Sequence, residues 1–174
     1  LAKLHKNISI IGCGSWGISI ANHLSSKALI SVYHYRLDYL ENLKKTRLYK
    51  GSFNLKIPSN INFIDKYDNL TDLCIISTPV QFIRETLERC NLSKTSNILI
   101  LSKGIEKKTL SFPCEIVHNV TNLPLENIAI LSGPNHAEQV IKNNPTSAVV
   151  ASQNQSLAKD VQSLFSDENF RVYC

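Results

Sequence analysis

Short apolar runs alternate with amphipathic stretches along almost the whole chain. Runs rich in isoleucine, leucine and valine predict buried strands, whereas apolar positions three and four residues apart predict helices. The predicted strands are residues 8–12, 29–35, 62–64, 73–77, 97–101, 128–131, 147–151 and 171–173. The predicted helices are residues 16–25, 37–45, 80–90, 114–120, 135–141 and 155–165. This alternation predicts an α/β fold, a Rossmann-type, doubly wound and mostly parallel sheet with helices on both faces.

No repeat, low-complexity tract or glycine- and serine-rich linker divides this pattern. A chain of 174 residues is long enough for one sizeable core and marginal for two. We therefore expect residues 1–174 to form one domain. The best loop candidate is residues 49–60, where Gly51 and Pro58 interrupt the pattern.

Glycines spaced G-x-G-x-x-G join the first predicted strand to the first helix. Gly12 allows a tight turn, and Gly14 has no Cβ, so a pyrophosphate can approach its backbone. Gly17 lets the helix pack close to the strand. The amides and the dipole at the start of the helix favour anionic phosphates. The stretch predicts a dinucleotide-binding site.

The end of the second predicted strand bears on cofactor preference. Residues 32–36 hold no acidic side chain of the kind that binds the ribose of NAD, and Asp38 falls in the next helix. Arg36 either pairs with a 2′-phosphate and stacks on adenine, or is an ordinary exposed arginine. The sequence favours NADP, or the use of both cofactors.

Further candidates follow the later strands, whose carboxyl ends share one edge of a parallel sheet. Phe82 either stacks near the adenine or packs its own helix. Lys103 follows a buried strand directly and can hold a carbonyl oxygen or a phosphate, unless it is a surface lysine. Gly133 permits close backbone approach, and Asn135 offers both a donor and an acceptor. His136 can act as an acid or base, although such a histidine more often caps or packs.

Composition excludes several other classes of protein. No apolar run reaches the roughly 18 residues of a membrane span, and the start of the chain lacks a signal peptide's apolar region, so we expect a cytoplasmic protein. The net charge is +5, which either reflects solvated surfaces or draws in an anionic nucleotide. The basic residues gather at Lys44, Lys45, Arg47, Lys50 and Lys56. They form no stripe interleaved with aromatic residues, which argues against nucleic-acid binding.

The cysteines and histidines do not predict a metal site. The five cysteines contain no C-x-x-C pair, and the histidines are scattered. Such thiols are mostly small core residues in a reducing compartment.

Four motifs together resemble one family. They are G-C-G-S-W-G at residues 12–17, S-K-G-I-E at 102–106, S-G-P-N-H-A at 132–137 and F-R-V-Y at 170–173. In order and spacing, nearly the whole chain resembles the NAD(P)-dependent glycerol-3-phosphate dehydrogenases of the bacterial type. Many dehydrogenases share the first motif, whereas the Ser-Lys-Gly and Ser-Gly-Pro motifs are much more specific.

The resemblance implies roles for individual residues and a reaction. It implies NADP or NAD as cofactor, bound by Gly12, Gly14, Ser15, Trp16, Gly17, Arg36, Phe82, Lys103 and Ala137. It implies substrate binding by Lys103, Gly133 and Asn135, with Lys103 also supporting catalysis. His136 stands where the family varies. The implied reaction reduces dihydroxyacetone phosphate to sn-glycerol 3-phosphate for glycerophospholipid synthesis, in an enzyme that forms a homodimer.

The family also has a second, helical domain that supplies the proton-transferring lysine and the arginine that binds the substrate phosphate. No residue of this chain matches either, so we expect an isolated N-terminal domain that binds cofactor without turnover. A non-catalytic nucleotide-binding module is the alternative. A third hypothesis is a dehydrogenase that acts on a hydroxyacid or a sugar acid. The Ser-Lys-Gly and Ser-Gly-Pro motifs argue against it.

Overall fold

Strands and helices alternate in the computed structural model, which describes residues 7–67, 71–92 and 95–174. The strands are β1 (Asn7–Ile11), β2 (Leu29–Tyr33), β3 (Leu48–Lys50), β4 (Asn54–Lys56), β5 (Ile61–Ile64), β6 (Leu73–Ile76), β7 (Ile98–Ile100), β8 (Ile128–Ser132), β9 (Thr146–Ser152) and β10 (Phe170–Tyr173). The helices are α1 (Ser15–Leu24), α2 (Leu37–Thr46), α3 (Ile83–Glu88), α4 (Pro113–Thr121), α5 (Ala137–Ile141) and α6 (Gln155–Phe165). Short 3-10 turns cover Val80–Phe82 and Leu125–Asn127. The predicted lack of a signal segment concerns mainly residues 1–6, which lie outside the described residues.

One eight-stranded sheet runs in the order β5-β2-β1-β6-β7-β8-β9-β10. The first six strands in this order are parallel, and the chain reverses its direction of winding between β1 and β6. In such sheets ligands bind beyond the carboxyl ends of the strands at the point of reversal. The predicted Rossmann-type fold is confirmed.

The central strands form because they can bury both faces. Every residue of β6 and β7 is buried, as expected for strands with helices above and below. Alternate side chains enter opposite cores: Ile10 joins the cluster packed by α1, α2 and α6, and Ile11 joins the cluster packed by α3 and α4. The helices therefore cover both faces of the sheet.

Two features depart from the predicted pattern. The prediction of a loop over residues 49–60 is wrong in part, because β3 and β4 pair there as an antiparallel hairpin, with Tyr49 opposite Leu55. In addition, β9 runs antiparallel to β8, and β10 is parallel to β9. The starts of β9 and β10 therefore lie at the edge where the other strands end.

Candidate functional site

A cleft of about 540 Å³ opens at the carboxyl edge of the sheet, where β1 and β6 adjoin. Its walls are the glycine turn, the end of β2 and parts of the segment 77–89. A volume of several hundred Å³ at this point of an α/β sheet suits a small-molecule ligand. The fold thus gathers the predicted nucleotide-binding turn and Phe82 at one cavity.

The three glycines of the turn meet different physical demands. Gly12 has φ +118° and its N–H donates to the Tyr33 carbonyl at 3.0 Å. A Cβ on Gly17 would lie 2.0 Å from the Gly12 oxygen, so only glycine lets α1 approach β1. A Cβ on Gly14 would meet nothing within 4 Å, and no side chain caps the start of α1. The first amides of α1 therefore face open space as donors for an anion.

The β3–β4 hairpin reaches over the start of α1. The Tyr49 and Ser52 hydroxyls each lie 2.8 Å from Ser15 Oγ. A hydrogen bond from Ser52 also lowers the pKa of Glu138 on α5. Tyr49 and Ser52 could not be identified from the sequence, since neither residue belongs to a motif and the pattern around them predicts a loop. Trp16, half-buried beside Ser15, lines the cleft.

At the end of β2, the cation that lines the cleft is not the predicted one. Arg36 lies outside the cleft lining and pairs with Asp38 at 2.8 Å, and the Arg36 guanidinium lowers the pKa of the Asp38 carboxyl. Arg89, which directly follows α3, does line the cleft. Its guanidinium carbon is 5.5 Å from the centre of the Tyr35 ring, and Glu85 pairs with it. No sequence motif marks Arg89, because only the packing of α3 brings it beside β2.

Phe82 is 55% exposed and lines the cleft. An aromatic ring with half its surface in solvent is not packing its helix into the core. Of the two predicted roles, the exposed ring favours stacking against a ligand.

A second cluster forms where β7 and β8 end side by side. Lys103 Nζ donates to the Gly133 carbonyl at 2.8 Å. A Cβ on Gly133 would lie 2.9 Å from the backbone of Ala148 and Ser147, so glycine is required there. Asn135 is only 9% exposed, and its Nδ2 finds no partner among the described residues. A buried, unpaired amide is a donor that a ligand can satisfy.

The residues that follow Asn135 differ in exposure. His136 is exposed at the start of α5, and its side chain makes no capping bond. Ala137 is buried, and its carbonyl accepts a hydrogen bond from Ser19 Oγ on α1 at 3.1 Å. This bond joins the helix after the glycine turn to the helix after the second cluster.

Within the described residues, neither a reactive thiol in the glycine turn nor a metal site is supported. Burial raises the pKa of the Cys13 thiol to about 12, so this cysteine of the glycine turn stays protonated at neutral pH. Within residues 7–67, 71–92 and 95–174, no three His, Cys, Asp or Glu side chains are grouped to hold a metal ion. In the same ranges, no helix is long and apolar enough to cross a membrane.

Comparison with known proteins decides the family. The sequence model of the N-terminus of NAD-dependent glycerol-3-phosphate dehydrogenase matches residues 7–158. The chain belongs to this family. The NAD(P)+ glycerol-3-phosphate dehydrogenase of Wolbachia sp. subsp. Brugia malayi is 36% identical over 95% of the chain and 52% of its own length. The corresponding enzyme of Thermoanaerobacter sp. is 34% identical, over 95% and 51%.

Solved structures agree with this assignment. A crystal structure of glycerol-3-phosphate dehydrogenase from Coxiella burnetii superposes with a TM-score of 0.81 at 25% identity, covering 98% of this chain and 54% of that one. This chain therefore spans about half the length of the glycerol-3-phosphate dehydrogenases it matches. The predicted family membership is confirmed, while the roles of the individual site residues remain predictions.

Proposed function

We propose that this chain is the cofactor-binding domain of an oxidoreductase that reduces dihydroxyacetone phosphate to sn-glycerol 3-phosphate with NAD(P)H. The observation that carries the proposal is the unpaired, buried amide of Asn135 beside Lys103 and Gly133. This cluster lies at the same edge of the sheet as the glycine turn. Family membership supplies the reaction.

The residues of the cleft fit NADP or NAD. The uncapped amides at the start of α1 and the open space above Gly14 suit a pyrophosphate. Trp16 and Phe82 provide aromatic walls, and the end of β2 lies where the adenosine half binds in such folds. When bound, the nicotinamide supplies the hydride.

The second cluster binds and polarises the substrate. Asn135 donates through Nδ2 to a substrate oxygen, and Gly133, which packs against the backbone of Ser147 and Ala148, presents its carbonyl to Lys103 beside it. Lys103 transfers its hydrogen bond from the Gly133 carbonyl to the carbonyl oxygen of the substrate, where it stabilises the negative charge that develops during reduction. Its role is supporting, since it orients and polarises while another group moves the proton.

A second, helical domain completes the proposed enzyme. It supplies the lysine that transfers the proton and the arginine that binds the substrate phosphate, and residues 1–174 act as the NAD(P)-binding domain. The complete enzyme is a cytoplasmic homodimer that feeds glycerophospholipid synthesis and binds no nucleic acid.

Cofactor titration and turnover together test this proposal. The single tryptophan, Trp16, reports NADPH or NADH binding through its fluorescence. We expect the 174-residue chain to bind cofactor without measurable reduction of dihydroxyacetone phosphate, and a version extended by the helical domain to turn over. Failure to bind either cofactor would overturn the proposal. Rapid turnover by the chain alone would remove the need for a second domain, and an inactive extended protein would favour the non-catalytic module.

A further inference from the structure

The loop that carries Lys103 is hydrogen-bonded at several points to the segment that lines the cofactor cleft. Ser102 Oγ donates to the Thr78 carbonyl at the start of the loop. Gln81 Nε2 donates to the Ile105 carbonyl at 2.8 Å, and the Lys107 N–H donates to Gln81 Oε1 at 3.0 Å. Residues 101–112 contain no helix or strand, so these contacts define the path of the loop.

An ion pair closes this set of contacts. Arg84 on α3 donates through Nε and Nη2 to the two carboxylate oxygens of Glu106, at 3.1 and 2.8 Å. Glu106 is 6% exposed, and among the described residues it is the one buried side chain that carries a formal charge. The Thr109 hydroxyl also donates to this carboxylate. A two-pronged arginine–carboxylate contact fixes direction as well as distance.

The backbone of Glu106 holds the second half of the loop. Its N–H donates to the Ser111 carbonyl at 3.0 Å, and its carbonyl accepts from the Leu110 N–H at 2.8 Å. Glu106 thus connects the whole loop to α3, three residues after Lys103. Phe82, two residues before Arg84, lines the cofactor cleft.

We propose that Glu106 and Arg84 are positioning residues that hold Lys103 at a fixed distance from the cofactor. This role rests on the proposed function, and on the family resemblance, which implies that Lys103 contacts the cofactor as well as the substrate. Because the pair joins the lysine loop to the segment that carries Phe82, a change at either residue reaches the cofactor through Lys103. A buried ion pair is weak evidence for stability alone, whereas its geometry suits the alignment of two segments.

Chemical labelling tests the positioning without any cofactor. Limiting acetic anhydride is applied to the intact chain, and mass spectrometry compares acetylation of Lys103 with that of Lys159, an exposed lysine on α6. In Glu106→Gln we expect the Lys103-to-Lys159 ratio to change by at least about twofold, because the loop no longer holds Lys103 on the Gly133 carbonyl. An unchanged ratio would overturn the proposal, whether or not the chain binds NADPH.

The affinity for NADPH is then measured in a double-mutant cycle that combines Glu106→Gln with Lys103→Met. Glu106→Gln should weaken NADPH binding about fivefold, within the range of coupling between neighbouring residues. In the Lys103→Met background the same change should have no further effect. Equal weakening in both backgrounds would show that Glu106 acts on the fold and not through Lys103. Failure of every variant and of the parent chain to bind NADPH would instead reject the proposed function.

Two further variants separate the positioning role from misfolding and from a general loss of stability. Arg84→Lys keeps the charge but loses the forked contact, so it should give an intermediate change in both readouts even if Glu106→Gln does not fold. Glu115→Gln is the matched control, because the Glu115 carboxylate accepts from the Phe112 N–H at the far end of the same loop. It should lower the melting temperature and leave Lys103 labelling unchanged. A Lys103 response as large as that of Glu106→Gln would count against the proposal.

Discussion

At the scale of single residues, Gly14 and Gly17 stand in one motif for different reasons. Gly17→Ala would place a methyl group 2.0 Å from the Gly12 oxygen and should lower the free energy of unfolding by about 1–3 kcal/mol. Gly14→Ala meets no atom within 4 Å and should fold normally. Its methyl group would hold a pyrophosphate away from the α1 amides, so NADPH affinity should fall about tenfold, the loss of one or two hydrogen bonds.

Urea unfolding and Trp16 fluorescence titration measure the two effects separately. Each glycine variant is the control for the other, since both add one methyl group to the same turn. The interpretation fails if Gly14→Ala destabilises the fold as much as Gly17→Ala, or if it binds NADPH as tightly as the parent chain.

His23 makes the stability of the fold depend on pH. The Nε2–H of its ring donates to the Phe165 carbonyl at 2.8 Å, and its Nδ1 lies 3.5 Å from an Asp167 carboxylate oxygen. Burial lowers the pKa of His23 below 6.5. The unfolded chain therefore takes up this proton first as the pH falls, and stability is lost below pH 6.5 with a slope of at most about 1.4 kcal/mol per pH unit.

His23→Gln should remove this contribution, because an amide can donate to the Phe165 carbonyl without titrating. Denaturant unfolding of both proteins between pH 7 and pH 5 gives the difference in unfolding free energy. The parent chain should lose stability relative to the variant as the pH falls. Parallel curves would show that His23 does not carry the effect, since Lys27 and Asp167, its charged neighbours, are common to both proteins.

At the scale of elements, the central strands and their glycine turn could be predicted because local pattern decides them. A continuous apolar run such as residues 73–76 predicts a buried strand without reference to the rest of the chain, and these residues are buried. The carboxyl ends of parallel strands must also share one edge of the sheet. This is why Lys103 and Gly133, 30 residues apart, were expected together and are in contact. The β3–β4 hairpin could not be predicted, because its strands have three residues each and are too short to show the alternation of apolar and polar residues that marks a strand.

Contacts between helix ends and loops could not be predicted in the same way. Arg89 reaches Tyr35, and Arg84 reaches Glu106, only through the packing of α3. Nothing local distinguishes these arginines from exposed ones. Arg36 is therefore the one cation that the sequence predicts for the adenosine end of the site, whereas the fold places Arg89, and not Arg36, in the lining of the cleft.

The hairpin should contribute to binding through Tyr49. Tyr49→Phe keeps the ring that packs on Phe53 and removes the hydroxyl bonded to Ser15. We expect the free energy of unfolding to fall by about 0.5–1.5 kcal/mol and NADPH affinity to fall several-fold, because Ser15 loses its orientation. Thermal unfolding and titration check both effects. Tyr39→Phe, which removes a hydroxyl bonded to the Cys13 carbonyl, is a matched control; an equal loss of NADPH affinity there would argue against a specific role for the hairpin.

At the scale of the whole molecule, the net charge of +5 should speed cofactor association. Arg47, Lys50 and Lys56 lie on or next to the β3–β4 hairpin, which contacts Ser15 at the start of α1, and an anionic nucleotide is attracted to that field before contact. Raising the salt concentration should lower the association rate constant for NADPH and leave its dissociation rate nearly unchanged. Stopped-flow fluorescence of Trp16 measures both rates.

The position of the charge distinguishes local steering from a general effect. Lys50 lies on the hairpin next to Tyr49, whereas Lys159 lies on α6, which contacts β9 and β10. Lys50→Gln and Lys159→Gln remove the same charge, so a field set by net charge alone would slow association equally in both. Because the field is strongest near its source and is screened over roughly 10 Å at ordinary salt, Lys50→Gln should slow association more. Equal slowing would assign the steering to net charge alone.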